Sequence, residues 1–372
     1  MRTPHSRTSG TTSRASRFHE LRVAAIARQT PDAVAVSFEL PEALRETFAF
    51  RPGQYLTLAA RIDGREMRRS YSICSSPGEP LLTVGVKKVA DGRFSRFVNE
   101  RLGVGDILRV MPPQGRFTAL AGPRHDYVLI AAGSGITPML SIARTVLSHE
   151  PESTVTLVYG NRSADTIMFR EALDDLKDRH LARFSLVHVL SREAQAIDLL
   201  HGRITGTRIA ELARRGLIDT AGADGVFLCG PGAMIDDVSS ALRGLGVAAD
   251  RIRFERFTPA DDAPAPRAPS QAAREAAAKG AFVEVVLDGM RRGFPMTEPA
   301  RTVLDAAHAA GIELPYSCAG GMCCTCRCRV VEGGSEMAVN YSLQPWEIEA
   351  GFTLACQTRP TGARLVLDFD AV

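Results

Sequence analysis

Long hydrophobic runs are missing from this sequence, and so are two patterns that mark specialised classes of protein. No apolar stretch approaches the roughly 20 residues that a membrane-spanning helix needs. No run of lysine and arginine is interleaved with aromatic residues, so nothing favours nucleic-acid binding. A pair of Glu-x-x-His motifs is also absent, which excludes a carboxylate-rich di-iron bundle within this chain. We therefore expect a cytoplasmic protein that is not itself a di-iron oxygenase.

Length and composition predict a globular protein with more than one domain. The chain has 372 residues, of which 45% are hydrophobic and 23% are charged. A chain of this length is expected to form two or three domains. Residues 281–372 carry 7 Lys/Arg and 11 Asp/Glu, whereas the earlier part carries 38 and 31. An acidic domain beside a basic remainder suits electrostatic docking, although ordinary scatter of surface charge is the alternative.

Cysteine is concentrated near the C-terminus. Cys318, Cys323 and Cys326 have the spacing C-x4-C-x2-C, and Cys356 follows at a distance. Four thiolates with this spacing hold a 2Fe-2S cluster. Zinc usually requires paired C-x2-C or Cys/His sets, and only one C-x2-C occurs here. Disulfides require an oxidising compartment, to which nothing in the chain directs it, and inert buried cysteines are the remaining alternative.

Two further cysteines lie in the same stretch, Cys324 and Cys328, and neither fits the spacing. We interpret them as small buried side chains. The stretch as a whole resembles the plant-type ferredoxins. This resemblance implies that Cys318 and Cys323 share one iron, and that Cys326 and Cys356 share the other.

The N-terminal part of the sequence predicts a tail followed by a β-barrel. Residues 1–17 are rich in Arg, Ser and Thr, and we expect them to be disordered. Residues 18–122 contain short alternating segments separated by Gly and Pro turns, which predict an antiparallel β-barrel. One strand ends in Arg69-Ser70-Tyr71-Ser72. A flavin needs such a guanidinium, aromatic ring and hydroxyl, whereas the alternative is an exposed strand with an incidental arginine.

A second phosphate site is predicted in the same domain. Gly92-Arg93-Phe94-Ser95 stands immediately before a helical stretch. The N-terminus of a helix favours a phosphate group. By itself this is a weak signal for a cofactor.

Residues 123–257 change to strands that alternate with helices, which predicts a buried parallel sheet with helices on both faces. The first strand ends in a segment containing Gly133, Gly135, Thr137 and Pro138. Glycines at this point let backbone N–H groups approach a pyrophosphate. The fourth strand ends in Cys229-Gly230-Pro231, with Met234 three residues later.

Two arginines bear on the choice of nicotinamide cofactor. An NAD site usually offers an acid to the ribose, whereas the phosphate of NADP calls for arginine. Arg162 follows the second strand and Arg170 begins the next helix, with no acid before Asp165. This favours NADPH over NADH, with two solvated arginines as the alternative.

The last third of the chain is predicted to be a linker and a small domain. Residues 258–280 are rich in Ala, Pro and charged residues, so we expect an extended first half, a partly helical second half and a domain that can swing. Residues 281–372 combine short strands and one helix, which fits an α+β ferredoxin (β-grasp) domain.

The order of these motifs resembles the ferredoxin-NADP reductase superfamily. Its R-x-Y-S motif stands here at Arg69 to Ser72, and its P-x-G-x-F turn at Pro113 to Phe117. The resemblance implies that Cys229 borders the hydride path and that Phe257 covers the flavin face, with Ser72 at the reacting edge. It also implies FAD rather than the FMN of some related reductases. The implied FAD contacts are Arg69, Tyr71, Ser72, Gly92, Arg93, Phe94 and Ser95.

From about residue 18 onward the chain resembles the family of reductase subunits of phenylacetyl-CoA 1,2-epoxidases. Similar stretches include 92–97, 159–162, 199–204, 340–343 and 354–357. Departures are Cys324, a longer Arg/Ser tail and a longer Ala/Pro linker. The resemblance implies an NAD(P)H-dependent oxidoreductase that feeds di-iron oxygenase subunits through FAD and a 2Fe-2S cluster.

Two other functions are weighed against this one. The first is the reductase of another oxygenase or of a hybrid-cluster protein, with the same domain order. The second is a redox sensor without turnover. A sensor predicts a damaged nicotinamide site, yet the loops at 133–138 and 229–234 are intact in the sequence.

Overall fold

The structure, a computed structural model, describes residues 18–257 and 265–371. They form two compact units, one beginning at Phe18 and the other at Pro266. The predicted disordered tail, residues 1–17, and the first part of the predicted linker, residues 258–264, lie outside the described residues. Within the described ranges, every helix is too short or too polar to span a lipid bilayer.

The first unit begins with the predicted antiparallel barrel. Its six strands are ordered β4-β3-β6-β1-β2-β5, and the bridge between Ile73 and Val84 joins the two ends of this order. Asp63 and Gly64 both have positive φ, which suits the tight turn between β3 and β4. The elements are β1 His19–Thr30, β2 Ala33–Phe38, β3 Tyr55–Ile62, β4 Arg65–Ser72, β5 Leu82–Lys87, α1 Arg93–Glu100 and β6 Ile107–Val110.

The second part of this unit is a five-stranded parallel sheet with helices on both faces, as the sequence predicts. Its strand order is β11-β10-β7-β8-β9. Separate hydrophobic cores form on its two faces, and one of them includes Ala35 and Cys74 of the barrel domain. The elements are β7 Asp126–Ala132, α2 Ile136–His149, β8 Thr154–Asn161, α3 Arg170–Arg179, β9 Phe184–Leu190, α4 Gly206–Arg214, β10 Gly225–Gly230, α5 Gly232–Gly244 and β11 Ile252–Arg256.

The barrel and the parallel sheet share buried contacts. The ring of Phe117 packs edge-on against Phe227, with the ring centroids 5.3 Å apart. Ser141 Oγ on α2 donates a hydrogen bond of 2.7 Å to the Ser75 carbonyl. These contacts place the end of β4 next to the sheet edge where β7 and β10 end.

The second unit has the mixed sheet of the predicted ferredoxin domain. Five strands are ordered β13-β12-β18-β14-β16, and β15 and β17 form a separate pair. Trp346 on α8 is the only tryptophan of the sequence and is 59% exposed. The elements are α6 Gln271–Ala278, β12 Ala281–Leu287, β13 Met290–Met296, α7 Val303–Ala309, β14 Arg327–Glu332, β15 Ser335–Met337, α8 Pro345–Glu349, β16 Phe352–Leu354, β17 Thr358–Pro360 and β18 Arg364–Asp368.

The helical half of the predicted linker is packed within this second unit. Helix α6 buries Ala273, Ala276 and Ala277, which share one face because they are three and four residues apart. Arg267 is also held, because its N–H donates to the Ala338 carbonyl at 2.9 Å and its carbonyl accepts from Arg359 at 3.0 Å. Described residues from 266 onward therefore belong structurally to the ferredoxin domain.

Candidate redox site

The four predicted cluster cysteines come together in the second unit as two pairs. The thiols of Cys318 and Cys323 are hydrogen-bonded to each other, and so are those of Cys326 and Cys356. The charges of the two pairs also interact, between Cys323 and Cys326 and between Cys318 and Cys356. The pairing matches the division between two irons that the ferredoxin resemblance implies.

Hydrogen bonds prepare one sulfur in each pair for metal binding. The hydrogen bond from Cys323, followed by backbone N–H groups, lowers the pKa of Cys318 to about 5. The N–H groups of Gly320, Met322 and Cys323 each lie 3.4 Å from Cys318 Sγ. The hydrogen bond from Cys326 lowers the pKa of Cys356. Because the thiolate is the form that ligates metal, this donor set fits a 2Fe-2S cluster.

A mononuclear zinc site fits less well. The four predicted ligands form two hydrogen-bonded pairs, Cys318 with Cys323 and Cys326 with Cys356. A structural zinc ion needs four ligands in one tetrahedron. Two adjacent pairs of thiols instead match two irons that each take two thiolates.

The backbone of the cysteine loop includes three residues with positive φ. Gly321 has φ of +76°, as suits glycine, but Ala319 and Cys324 adopt +51° and +59°. Cys324 Sγ donates a hydrogen bond of 3.0 Å to Ser342 Oγ. Cys328 is fully buried beside the Thr353 carbonyl. Both extra cysteines therefore have partners outside the four paired thiols.

In the barrel, the predicted flavin residues lie along the end of β4. Arg69 is exposed, and its Nη1 donates to the Arg68 carbonyl at 2.7 Å. Ser70 Oγ lies 3.4 Å from Thr57 Oγ1. Tyr71 is half-buried, with its ring centroid 5.9 Å from that of Phe94. Tyr71 and Phe94 thus join the two predicted flavin segments.

The second predicted phosphate site lies at the N-terminus of α1. Gly92 is the N-cap residue, and Arg93 is exposed. Ser95 is buried, and its hydroxyl accepts from the Val89 N–H at 3.1 Å and donates to the Gly92 carbonyl at 3.0 Å. Ser95 therefore closes the loop before the helix, while Arg93 and the backbone are the groups open to a phosphate.

The two predicted nicotinamide loops meet at the carboxyl edge of the parallel sheet. A Cβ atom on Gly135 would lie 2.0 Å from the Cys229 carbonyl oxygen, so only glycine allows this approach. Gly133 has φ of +55°, and its carbonyl accepts a 2.9 Å hydrogen bond from Tyr159 Oη. Thr137 Oγ1 donates to the Ser134 carbonyl at 3.0 Å.

The remaining residues of these loops are mostly buried. Pro138 is buried on α2 and Met234 on α5, whose N-cap is Pro231. Gly230 is packed so closely that a Cβ atom there would lie 2.6 Å from Met234 Cε. Gly230 and Met234, which belong to the same loop, are therefore packed against each other.

The two predicted phosphate-binding arginines lie at the same edge of the sheet. Arg162 follows β8 and is exposed, and Arg170 is the exposed first residue of α3, 3.9 Å from Asp174. Asn161, between Tyr159 and Arg162, is buried, and its side chain hydrogen-bonds the Tyr159 hydroxyl.

The sequence analysis missed Glu255, which links the predicted flavin and nicotinamide residues. Ser72 Oγ donates a 3.0 Å hydrogen bond to Glu255 Oε2, and Glu255 lies opposite Cys229 across β10 and β11. The residue as a whole is half-buried, but its carboxyl group is enclosed by protein, and this burial raises the pKa of Glu255 to about 7. Burial, and then Glu255, also raises the pKa of Cys229. Phe257 follows β11 and is 37% exposed.

The chain matches three protein-family descriptions in the order expected. Residues 20–119 match "Oxidoreductase FAD-binding domain", residues 129–240 match "Oxidoreductase NAD-binding domain" and residues 285–361 match "2Fe-2S iron-sulfur cluster binding domain". The FAD, nicotinamide and cluster predictions are confirmed at this level. The chain is an oxidoreductase that carries all three modules.

Related proteins and solved structures agree with this three-module oxidoreductase architecture. The chain is 45% identical over 358 residues to a subunit of the 1,2-phenylacetyl-CoA epoxidase of Escherichia coli (strain K12), and the match covers 95% of this chain and 98% of the relative. It is 37% identical to "3-ketosteroid-9-alpha-monooxygenase, ferredoxin reductase component" of Rhodococcus rhodochrous, over 94% and 96%. Phthalate dioxygenase reductase shares the fold, with a TM-score of 0.57 and 23% identity over 95% and 98% of the two chains. The chain therefore belongs to the same family as this epoxidase component, a family of reductase components of oxygenases.

Proposed function

We propose that this protein is the reductase of a phenylacetyl-CoA 1,2-epoxidase, and that it passes electrons from NADPH through FAD and a 2Fe-2S cluster to di-iron oxygenase subunits. The observation that carries the proposal is the 45% identity to the Escherichia coli epoxidase component over nearly the full length of both chains. The paired thiols and the Ser72–Glu255 contact support it, because they supply both ends of the internal electron path.

The flavin end of this path is built from residues of both domains of the first unit. Bound FAD would supply the chemistry that converts two-electron transfer from a nicotinamide into one-electron transfer to a cluster. Ser72 directs its hydroxyl to Glu255, whose carboxyl can hold a proton near neutral pH. We assign Ser72 and Cys229 to the flavin–nicotinamide contact and Phe257 to the flavin face.

Two groups at the sheet edge favour NADPH. Arg162 and Arg170 are exposed cations next to the nucleotide loops, and arginine binds phosphate strongly through charge-assisted hydrogen bonds. We assign both arginines to the phosphate that distinguishes NADPH from NADH.

We assign the protein to the cytoplasm. Loading a cluster requires its cysteines to be reduced thiols, which the cytosol maintains. All eight cysteines of the chain are free thiols in the structure.

The test is reconstitution of the complete reaction. The purified chain is mixed with phenylacetyl-CoA epoxidase oxygenase subunits, and NADPH and O2 consumption are measured with and without phenylacetyl-CoA. We expect consumption of both to depend on phenylacetyl-CoA. Ferricyanide reduction by the same preparation is the control. Good ferricyanide reduction without phenylacetyl-CoA-dependent turnover would leave the reductase activity in place and show that the acceptor is wrong.

A different acceptor is the second candidate. The 37% identity to the 3-ketosteroid-9-alpha-monooxygenase reductase component also spans nearly the whole chain. The same assay, with the oxygenase of that system and its steroid substrate, distinguishes the two. Turnover with the steroid oxygenase alone would favour this second function.

A further inference from the structure

Arg327 and Glu347 form an ion pair in the interior of the second unit. Arg327 Nε lies 3.0 Å from Glu347 Oε1, and the two side chains are 8% and 0% exposed. Taking two charges out of water costs free energy that their mutual attraction often fails to recover. A pair buried this deeply therefore points to a role other than stability.

Arg327 lies where the two segments that carry the buried pair of cysteines are joined by backbone pairing. Arg327 directly follows Cys326, and it lies opposite Leu354 across β14 and β16. Its N–H donates to the Cys324 carbonyl at 3.0 Å, and the Ala355 N–H donates to the Cys326 carbonyl at 3.0 Å. A displacement of Arg327 would therefore displace Cys326 relative to the strand that leads to Cys356.

Two elements hold the guanidinium of Arg327 in place. Its Cζ lies 3.4 Å from the centroid of the Phe352 ring, a cation–π contact with the first residue of β16. Glu347 contacts it from α8. Since Phe352 belongs to the segment that leads to Cys356, the guanidinium connects both ligand-bearing segments to α8.

A fixed charge at this position bears on the electron that the cluster accepts. A 2Fe-2S cluster gains one negative charge on reduction, and its reduction potential depends on nearby net charge. An uncompensated guanidinium one residue from Cys326 would favour the reduced form. We propose that Glu347 is a positioning residue that sets the reduction potential by neutralising the guanidinium of Arg327, which the chain places one residue from Cys326.

The test is an anaerobic redox titration of the full chain with small mediators. Visible absorbance and electron paramagnetic resonance monitor the reduction of the cluster. Glu347→Gln removes the negative charge at nearly constant volume and is expected to move the midpoint potential to more positive values. The double variant Arg327→Gln/Glu347→Gln removes both charges and is expected to stay close to wild type. Glu349→Gln, on the same helix but exposed, is the matched control and is expected to shift the potential least.

Two results would overturn the proposal when iron content is normal. One is an unchanged potential in Glu347→Gln, and the other is a shift in the double variant as large as in the single one. If Glu347→Gln fails to load iron, the double variant decides. A double variant that binds iron and has the wild-type potential supports the proposal. A double variant that also lacks iron shows that the pair only maintains the fold.

The inference rests on the 2Fe-2S cluster and not on the proposed acceptor. Mediated titration requires no oxygenase subunit and no phenylacetyl-CoA. A failed reconstitution of epoxidase activity would therefore leave these potentials unaffected, and an unchanged potential would say nothing about the acceptor.

Discussion

Ser72 and Glu255, which are 183 residues apart in the sequence, are joined by a hydrogen bond of 3.0 Å from Ser72 Oγ to Glu255 Oε2. Glu255 lies beside Cys229 because β10 and β11 are adjacent parallel strands in register. One carboxyl group thus lies beside both the strand end that carries the predicted flavin motif and the loop that we propose borders the nicotinamide.

Replacing Glu255 with Gln should slow flavin reduction and change its dependence on pH. Burial raises the pKa of Glu255 to about 7, so the wild-type rate should show an inflection near that pH. We expect Glu255→Gln to lose the inflection and at least about tenfold in rate, equivalent to about 1.4 kcal/mol. Stopped-flow flavin reduction by NADPH across the neutral range measures both, with the exposed Glu152→Gln as control. Persistence of the inflection in Glu255→Gln would assign it to another group.

The same carboxyl should make stability depend on pH. Its pKa is raised from 4.5 to about 7 in the folded state, so the folded state retains the proton over this window. The contribution of Glu255 to the free energy of unfolding is therefore fully present below pH 4.5, the unfolded-state pKa, and is lost as the pH rises through about 7, the folded-state pKa. We expect Glu255→Gln to gain about 1 to 3 kcal/mol relative to wild type over this window.

Urea unfolding at several pH values measures this gain, with the release of flavin as the signal for unfolding. The curve for Glu152→Gln should run parallel to that for wild type. A constant difference between Glu255→Gln and wild type across the window would contradict the assignment of the raised pKa.

The cysteine pairs predict which substitutions remove the cluster. Serine at Cys318, Cys323, Cys326 or Cys356 should abolish or strongly reduce bound iron, because each removes one of four thiolates. FAD content should remain unchanged, since the barrel lies in the other unit. Iron analysis and visible absorbance, normalised to FAD, provide the measurement.

The matched controls are the two remaining cysteines of the loop. Cys324 is hydrogen-bonded to Ser342 and Cys328 is buried beside Thr353, so alanine at either position should retain iron. Iron loss in Cys324→Ala, together with retention in Cys323→Ser, would mean that the loop binds the cluster through a different set of thiols.

The close approach of Gly135 to Cys229 predicts a steric effect. Alanine at Gly135 would place Cβ 2.0 Å from the Cys229 carbonyl oxygen, so the two nicotinamide loops must separate. We expect a loss of about 1 to 3 kcal/mol in stability and weaker NADPH binding. Thermal unfolding and the KM for NADPH measure these effects.

Gly244→Ala is the control for this substitution. It lies on α5 with no atom within 4 Å of its added Cβ, so alanine there should be neutral or stabilise by about 0.5 to 1 kcal/mol. An unchanged melting temperature and KM in Gly135→Ala would show that the loops separate easily.

Arg162 should control the choice between NADPH and NADH. Removing a charge-assisted hydrogen bond costs about 1.5 to 3 kcal/mol, so Arg162→Ala should reduce the ratio of kcat/KM for NADPH to that for NADH by roughly 10- to 100-fold. Arg179→Ala, at the opposite end of α3, should leave the ratio unchanged. Equal losses with both cofactors would show that Arg162 does not contact the distinguishing phosphate.

Local patterns in the sequence were enough to predict the four cluster cysteines and the three kinds of domain. The pairing of Cys318 with Cys323 and of Cys326 with Cys356 came instead from the resemblance to plant-type ferredoxins. Alternation of strands and helices indicated the parallel sheet. Helix α6 was predicted from its alanine content, and the i, i+3, i+4 spacing of Ala273, Ala276 and Ala277 could also have shown that it packs against a neighbour.

Glu255 and Glu347 could not be found in this way. Glu255 reaches Ser72 only because β11 lies beside β10 and the barrel packs on the sheet. Glu347 reaches Arg327 only because α8 packs on β16, the strand next to β14. Both contacts depend on tertiary packing between distant segments, and neither residue belongs to a recognised motif. The role of Ser95 within its own loop was hidden for a similar reason, because the sequence cannot show which partner a hydroxyl chooses.

The single tryptophan on α8 gives this chain a built-in optical label. Because Trp346 belongs to the cluster-bearing unit, indole emission excited at long wavelength comes from that unit alone, whereas isoalloxazine emission comes from the other. A single unmodified sample can therefore yield a separate melting curve for each half of the molecule, without dyes or truncation.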